Sequence, residues 1–258
     1  MNSSLEVLFT PAEFLALKDR DLGRTVCVVF DVLRATSSIM TALQNGAEAV
    51  IPVEEIAEAV AIRRSQPDVL LCGERHGVRI RGDQTGGVDF DLGNSPREFT
   101  AEAVRGRRIV STTTNGTRAL RACARAKTIL IGSFLGLEAL ANWLVKSRPR
   151  NLLLVCAGTF EQAAYEDLLG AGALCELVWS LFEAGDIVDS AAMARNIYRQ
   201  HADDLLGAMQ FATNGRRLLA RPALREDVPF CLQRDTLDFV AQLTPGGEVR
   251  KLGKSSER

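Results

Sequence analysis

The chain has 258 residues with a net charge of −1, 47% of them hydrophobic and 24% charged. That balance belongs to a folded globular protein with one large core or two modest lobes, and it excludes an overall basic field for nucleic acid. The longest apolar run, Leu152 to Ala157, is too short to cross a bilayer, and no basic-then-apolar leader is present, so a cytoplasmic, non-membrane protein is expected.

Residues 1–24 read as a lead-in with a helix near Pro11 to Lys18. Thr25 to Phe30 is a buried strand ending in Asp31, and helical spacing resumes at Ala35 or Thr36 and stops at Asn45-Gly46. The alternation continues with strand Ala49–Val53, helix Ile56–Ser65 and strand Val69–Cys72. A Gly-rich segment, Gly73 to Gly93, leads to a helix opening at Ser95-Pro96. Strand Ile109–Ser111, the loop Thr112-Thr-Thr-Asn-Gly-Thr117 and a helix follow. Then come strand Thr128–Ile131, helix Leu135–Val145 and strand Leu152–Cys156. Repeated βα units with short connections predict an α/β fold of three layers, a mostly parallel sheet with helices on both faces. Beyond Cys156 the chain reads as mainly helical, over Tyr165–Ala184, Ala191–Leu206 and a short helix from Arg216. Residues 1–243 read as a single catalytic domain whose one candidate lobe boundary is Pro149, and 244–258 as a flexible tail.

Polar residues collect where these strands end. Asp31, Glu74, the Thr112–Thr117 loop, Ser133 and Gly158-Thr159 each follow a predicted parallel strand, and in open α/β sheets ligands bind at that edge. In the Thr112–Thr117 loop, Gly116 permits close approach of backbone to an anion, and hydroxyls and amides converge, which makes a phosphate cradle. The same residues also make an ordinary βα turn capped by Thr117. Asp31, Glu74, Glu166 and Asp167 offer hard oxygen ligands for Mg²⁺, and Arg34 and Arg75 can clamp an anion. Acids for a metal, arginines for an anion and a cradle together suggest phosphoryl chemistry.

Plainer readings exist for several of these residues. Asp31 and Arg34 can pair structurally at a helix start, Ser95 fits a capping box with Glu98, and Glu166 and Asp167 open a helix where acids are favoured. His76 and His201 have no partner pattern. The six cysteines lie far apart in apolar runs without a CxxC pair, which predicts reduced core thiols; Cys156, at a strand end, is the one candidate nucleophile among them. Three near-motifs fail. Gly170-Ala-Gly172 lacks the third glycine of a dinucleotide fingerprint, Gly253-Lys254-Ser255 lacks the upstream glycine of a P-loop, and Asp31-Val-Leu33 lacks the second Asp of a haloacid-dehalogenase strand.

Taken in order, Asp31-Val-Leu-Arg-Ala-Thr-Ser-Ser38, Gly73-Glu-Arg75, Asp91-Leu-Gly-Asn-Ser-Pro96, Thr112-Thr-Thr-Asn-Gly-Thr117, Ile131-Gly-Ser133, Ala157-Gly-Thr159 and Glu166-Asp167 resemble the 2-phosphosulfolactate phosphatase family over roughly residues 25–240. The resemblance implies an α/β, Mg²⁺-dependent hydrolase that releases phosphate from 2-phospho-3-sulfolactate, or a similar small phosphorylated acid, to give 3-sulfolactate, a step toward coenzyme M. It implies Asp31, Arg34, Glu74 and Asp167 as catalytic residues and Asp31, Glu74, Glu166 and Asp167 as metal ligands. Thr113, Thr114, Asn115, Gly116 and Thr117 would hold phosphate, and Arg34, Arg75, Asn94, Ser95 and Ser133 the rest of the substrate. The segment Gly82 to Val88 is an insertion against that pattern and leaves the exact substrate open. Two rivals stand beside this reading, a non-catalytic anion-binding regulatory module and a phosphotransferase with another acceptor. Homo-oligomerisation is also left open.

Overall fold

The structure, a computed structural model, describes residues 3–253. Eleven strands make one sheet: β1 (Ser4–Leu8), β2 (Thr25–Phe30), β3 (Ala49–Pro52), β4 (Leu70–Arg75), β5 (Val78–Arg79), β6 (Arg108–Thr112), β7 (Thr128–Gly132), β8 (Asn151–Cys156), β9 (Asp186–Ile187), β10 (Ala241–Leu243) and β11 (Val249–Lys251). Their order is β5-β4-β6-β3-β11-β10-β7-β2-β8-β1-β9. The fold is α/β, as predicted.

Period-two alternation in the central strands shows why helices cover both faces. Val26, Val28 and Phe30 of β2 and Leu152, Leu154 and Cys156 of β8 enter one buried cluster, shared with the helix Tyr165–Val178. Cys27, Val29, Leu153 and Val155 point the other way and pack with the helix Ala35–Gln44. A sheet buried on both faces needs such continuous apolar runs. Gly172 has a packing reason too. A side chain there would strike the Ala194 carbonyl, so the glycine lets Tyr165–Val178 lie directly on the helix Asp189–His201.

Three expectations are corrected. The lead-in supplies β1, which pairs in parallel with β8 and β9. The tail does not fray at Thr244. Within residues 244–253, β11 pairs antiparallel with β10 and with β3, while residues 254–258 lie outside the described part. This hairpin also divides the sheet. It separates a parallel block β4-β6-β3 from a parallel block β7-β2-β8-β1-β9, and the antiparallel steps at β11 and β10 reverse one block against the other. Twist of roughly 20–25° per strand accumulates between them, and the carboxyl ends of β2 and β6 still meet, through Asp31 and Gly116. Pro149 does not divide the sheet, because β2 pairs with β7 before it and with β8 after it.

Candidate active site

The β2 strand ends in a tightly held loop. Asp31 Oδ1 accepts the Ala35 N–H at 3.0 Å, and Thr36 and Ser37 donate their hydroxyls to the Asp31 and Val32 carbonyls, both at 2.9 Å. The Ala-Thr-Ser-Ser run therefore serves the loop backbone and the helix start rather than a ligand. Asp167 fastens the same loop to its neighbour, accepting Val32 N–H at 2.8 Å on Oδ1 and Gly158 N–H at 3.0 Å on Oδ2. Opposite, β4 turns into β5 through His76 and Gly77, both at positive φ (56° and 79°), the conformation a two-residue hairpin demands. Glu74 sits under that turn. It accepts Gly77 N–H at 2.6 Å on one oxygen, and the Thr114 amide at 3.1 Å and hydroxyl at 3.0 Å on the other.

Where these loops meet the helix Thr213–Leu219, a pocket of about 50 Å³ opens. Asp31, Arg34, Glu74, Asn94, Thr114 and Asn115 line it, joined by residues the local sequence did not single out: Gly77, Phe160, Asn214, Arg217 and Leu218. Leu33, His76 and the Gly158-Thr159 pair complete the wall. Arg34, 3% exposed, donates to Asp227 Oδ2 at 2.7 Å and to the Gly77 carbonyl at 3.1 Å. Asp227 is fully buried and also accepts from Ser95 Oγ at 2.6 Å and Arg97 Nε at 2.8 Å. A buried carboxylate with three donors fixes the plane of the Arg34 guanidinium at the pocket wall.

Burial dominates the titration of the acids. It pushes Asp31 up to about 6, with the Glu74 charge adding to the rise and the Ala35 amide and Arg34 opposing it. Burial pushes Glu166 up to about 7, opposed by Asn214 and Arg217 and reinforced by Asp31. Asp167 is held well above the usual carboxylate range by burial and by the charges of Asp31 and Glu166. Cys156 is fully buried, and burial raises its thiol well above the ordinary value, which makes it a packing residue and not a nucleophile.

A family model described as 2-phosphosulpholactate phosphatase matches residues 13–246. A curated relative from Caldanaerobacter subterraneus, named a probable 2-phosphosulfolactate phosphatase, is 39% identical over 243 residues, covering 93% of this chain and 96% of its own. The relative of the same name from Clostridium acetobutylicum is 34% identical over 89% of this chain and 94% of its own. That from Deinococcus radiodurans is 37% identical over 87% of this chain and 90% of its own. The chain belongs to the 2-phosphosulfolactate phosphatase family. It is a family of phosphoric monoester hydrolases, and the chain is an enzyme of that class.

Within this phosphatase the expected site residues separate into three groups. Asp31, Arg34, Glu74, Asn94, Thr114 and Asn115 come together at the pocket. Gly116, Glu166 and Asp167 stand behind its wall, Gly116 against the Asp31 carboxylate and the two acids near enough to feel its charge. The others face elsewhere. Arg75 donates to the Glu74 and Glu54 carbonyls and to Thr112 Oγ1, on the opposite side of β4 from Glu74. Ser133 is buried and caps Leu135, and Ser95 holds Asp227 instead of capping its own turn. Thr117 donates to the Thr113 carbonyl, and Asn115 takes the N-cap position expected for Thr117. Thr113 Oγ1 is buried without a hydrogen-bond partner. The direct Asp31–Arg34 ion pair is replaced by Arg34–Asp227. The insertion Gly82 to Val88 closes on itself through Thr85 and Val88 and does not line the pocket.

The donor set fits a hard cation in a narrower way than the sequence implies. Glu74 and Asp167 have both oxygens engaged by protein donors. Glu166 Oε2 is buried without a partner, and Asp31 Oδ2 faces Gly116. No cage of three or more His, Cys, Asp or Glu side chains is gathered among the described residues. Two carboxylates, Asp31 and Glu166, suit Mg²⁺, which completes its shell with water and phosphate oxygens.

A Cβ on Gly116 would lie 2.7 Å from Asp31 Oδ2 and 2.9 Å from the Ala35 Cβ. Gly116→Ala is therefore expected to displace Asp31, lowering kcat by about 10-fold or more while costing about 1–3 kcal/mol of stability, the usual range for overpacking. Steady-state rates and thermal melts on one preparation check this. Unchanged turnover would show that the carboxylate position is not what Gly116 secures.

Proposed function

We propose that this chain hydrolyses 2-phospho-3-sulfolactate to 3-sulfolactate and inorganic phosphate, with Mg²⁺ as its cofactor. The observation that carries the reading is the juxtaposition, in one pocket, of the Asp31 carboxylate with an Arg34 guanidinium locked by buried Asp227. Such a pair places charge stabilisation for a phosphoryl group beside an acid, held rigid before substrate arrives. A purely binding module would not need an acid facing the anion, and nothing in the pocket favours an acceptor other than water.

In this reading Arg34 grips phosphoryl oxygens through the N–H groups not bonded to Asp227 and Gly77. Water adds to phosphorus, the bond from phosphorus to the C2 oxygen breaks, and that oxygen leaves protonated as the hydroxyl of 3-sulfolactate. Asp31 and Glu166 would hold Mg²⁺, which when bound supplies positive charge to the phosphoryl oxygens. Asp31 acts as the carboxylate, so kcat/KM should rise with pH as that carboxyl ionises, at about 6 without a cation and lower with Mg²⁺ held beside it.

The same acids set a sign for stability. Folded Asp31 and Glu166 keep protons to about 6 and about 7, above the ordinary values of 3.8 and 4.5. Their contribution to stability is complete below pH 4 and is lost as pH rises through 6 and 7. A cation held by the ionised pair offsets that loss, so Mg²⁺ should raise the melting temperature more at pH 8 than at pH 5. Equal shifts at both pH values, or full phosphate release in excess chelator, would contradict the cation assignment.

A further inference from the structure

Three arginines converge on Gly77. Arg34 donates to its carbonyl at 3.1 Å, and a Cβ built on Gly77 would lie 3.5 Å from Arg221 Nη1 and 3.7 Å from Arg217 Nη2. The two outer nitrogens are thus within about 7 Å of each other. Arg34 is neutralised by Asp227, but the other two are not matched in this way. Arg217 bonds the Asn214 side-chain oxygen at 3.2 Å and Arg221 the His76 carbonyl at 3.4 Å, both neutral acceptors, and neither forms an ion pair among the described residues. Two half-buried cations that close repel, and an anion held between them would relieve the repulsion. With hydrogen bonds near 2.9 Å on each side, one tetrahedral anion bridges that span. Arginine presents a fork suited to such oxygens.

We infer that Arg217 and Arg221 form a second anion subsite, which takes the sulfonate of the substrate while Arg34 takes its phosphate. The inference rests on the phosphatase reading above and adds to it the residues that set substrate preference. Position supports the division. Arg217 lines the same pocket as Asp31, and Arg221 reaches the carbonyl of His76, a residue of the pocket wall. The subsite also replaces Arg75 and Ser133, which the structure turns away from the pocket.

The test compares purified wild type, Arg217→Gln and Arg221→Gln on 2-phospho-3-sulfolactate and on 2-phospholactate, which lacks only the sulfonate. Each variant should cut the preference for the sulfonated substrate, measured as the ratio of kcat/KM values, by about 10-fold or more, chiefly through KM, the size expected for losing a hydrogen bond to a charged group. Arg217→Lys should recover part of the loss. In parallel, calorimetry with 3-sulfolactate and with inorganic phosphate should show the 3-sulfolactate affinity falling about 10-fold further than the phosphate affinity. An unchanged preference in both variants would overturn the assignment, as would equal losses for the two ligands. Wild type inert toward both substrates would defeat the phosphatase reading, and the binding comparison would still decide whether the subsite exists.

Discussion

Replacing Asp31 by Asn is expected to lower kcat by on the order of 10³-fold or more, the range for losing an essential acid–base or metal-side group, without loss of fold. The residue ends β2 at the pocket wall, and its Oδ1 accepts the Ala35 amide, a bond the Asn carbonyl can keep. Burial holds the Asp31 carboxyl up to about 6, so the folded chain at neutral pH carries an acid it would rather keep protonated. Asparagine removes that charge. The variant should melt no lower than wild type above pH 7, and its advantage should vanish below pH 4, where both side chains are neutral. Loss of activity together with retained or improved stability is the signature of a residue kept for chemistry. A variant that melts lower and turns over normally would make Asp31 a structural residue.

Asp227→Ala should give the opposite pattern in stability. Asp227 is fully buried and is the only carboxylate within salt-bridge reach of Arg34 among the described residues. Removing one partner of a buried pair leaves an uncompensated charge and costs about 3–5 kcal/mol. For a domain of this size that lowers the melting temperature by roughly 10 °C. Activity should fall as well, because Arg34 loses the acceptor that fixes its plane. Asp227→Asn, which keeps an acceptor for Arg34, should recover part of both. If Asp227→Ala melts normally, the Arg34–Ser95–Arg97 network is not what holds the helix Asp227–Cys231 against the site.

Much of this site can be read in the sequence, and the parts that cannot share a physical cause. Asp31, Glu74 and the Thr112–Thr117 loop follow strands whose apolar runs admit little choice, so their position at strand ends is legible. Side-chain direction is not. Glu74 and Arg75 are adjacent on one strand and must face opposite sides of the sheet, so only one of them can reach the pocket. Asn94 and Ser95 divide the same way, one to the pocket and one to Asp227. Asp227, Asn214 and Arg217 lie far along the chain on short helices with no motif, and only tertiary docking brings them to Arg34 and Glu166. The His76-Gly77 hairpin had a local signal, an X-Gly pair between two short strand-like runs, which the surrounding glycines obscure. The β10–β11 hairpin had none strong enough. Its strands are three residues each, Ala-Gln-Leu and Val-Arg-Lys, too short to show a period, and they are held by pairing with β7 and β3.

The most direct measurement is release of inorganic phosphate from 2-phospho-3-sulfolactate by the purified protein with Mg²⁺, followed together with the appearance of 3-sulfolactate. The proposed function predicts sustained turnover, one phosphate for each 3-sulfolactate, abolished by Asp31→Asn. No release by wild type, or release undiminished in the variant, would contradict it.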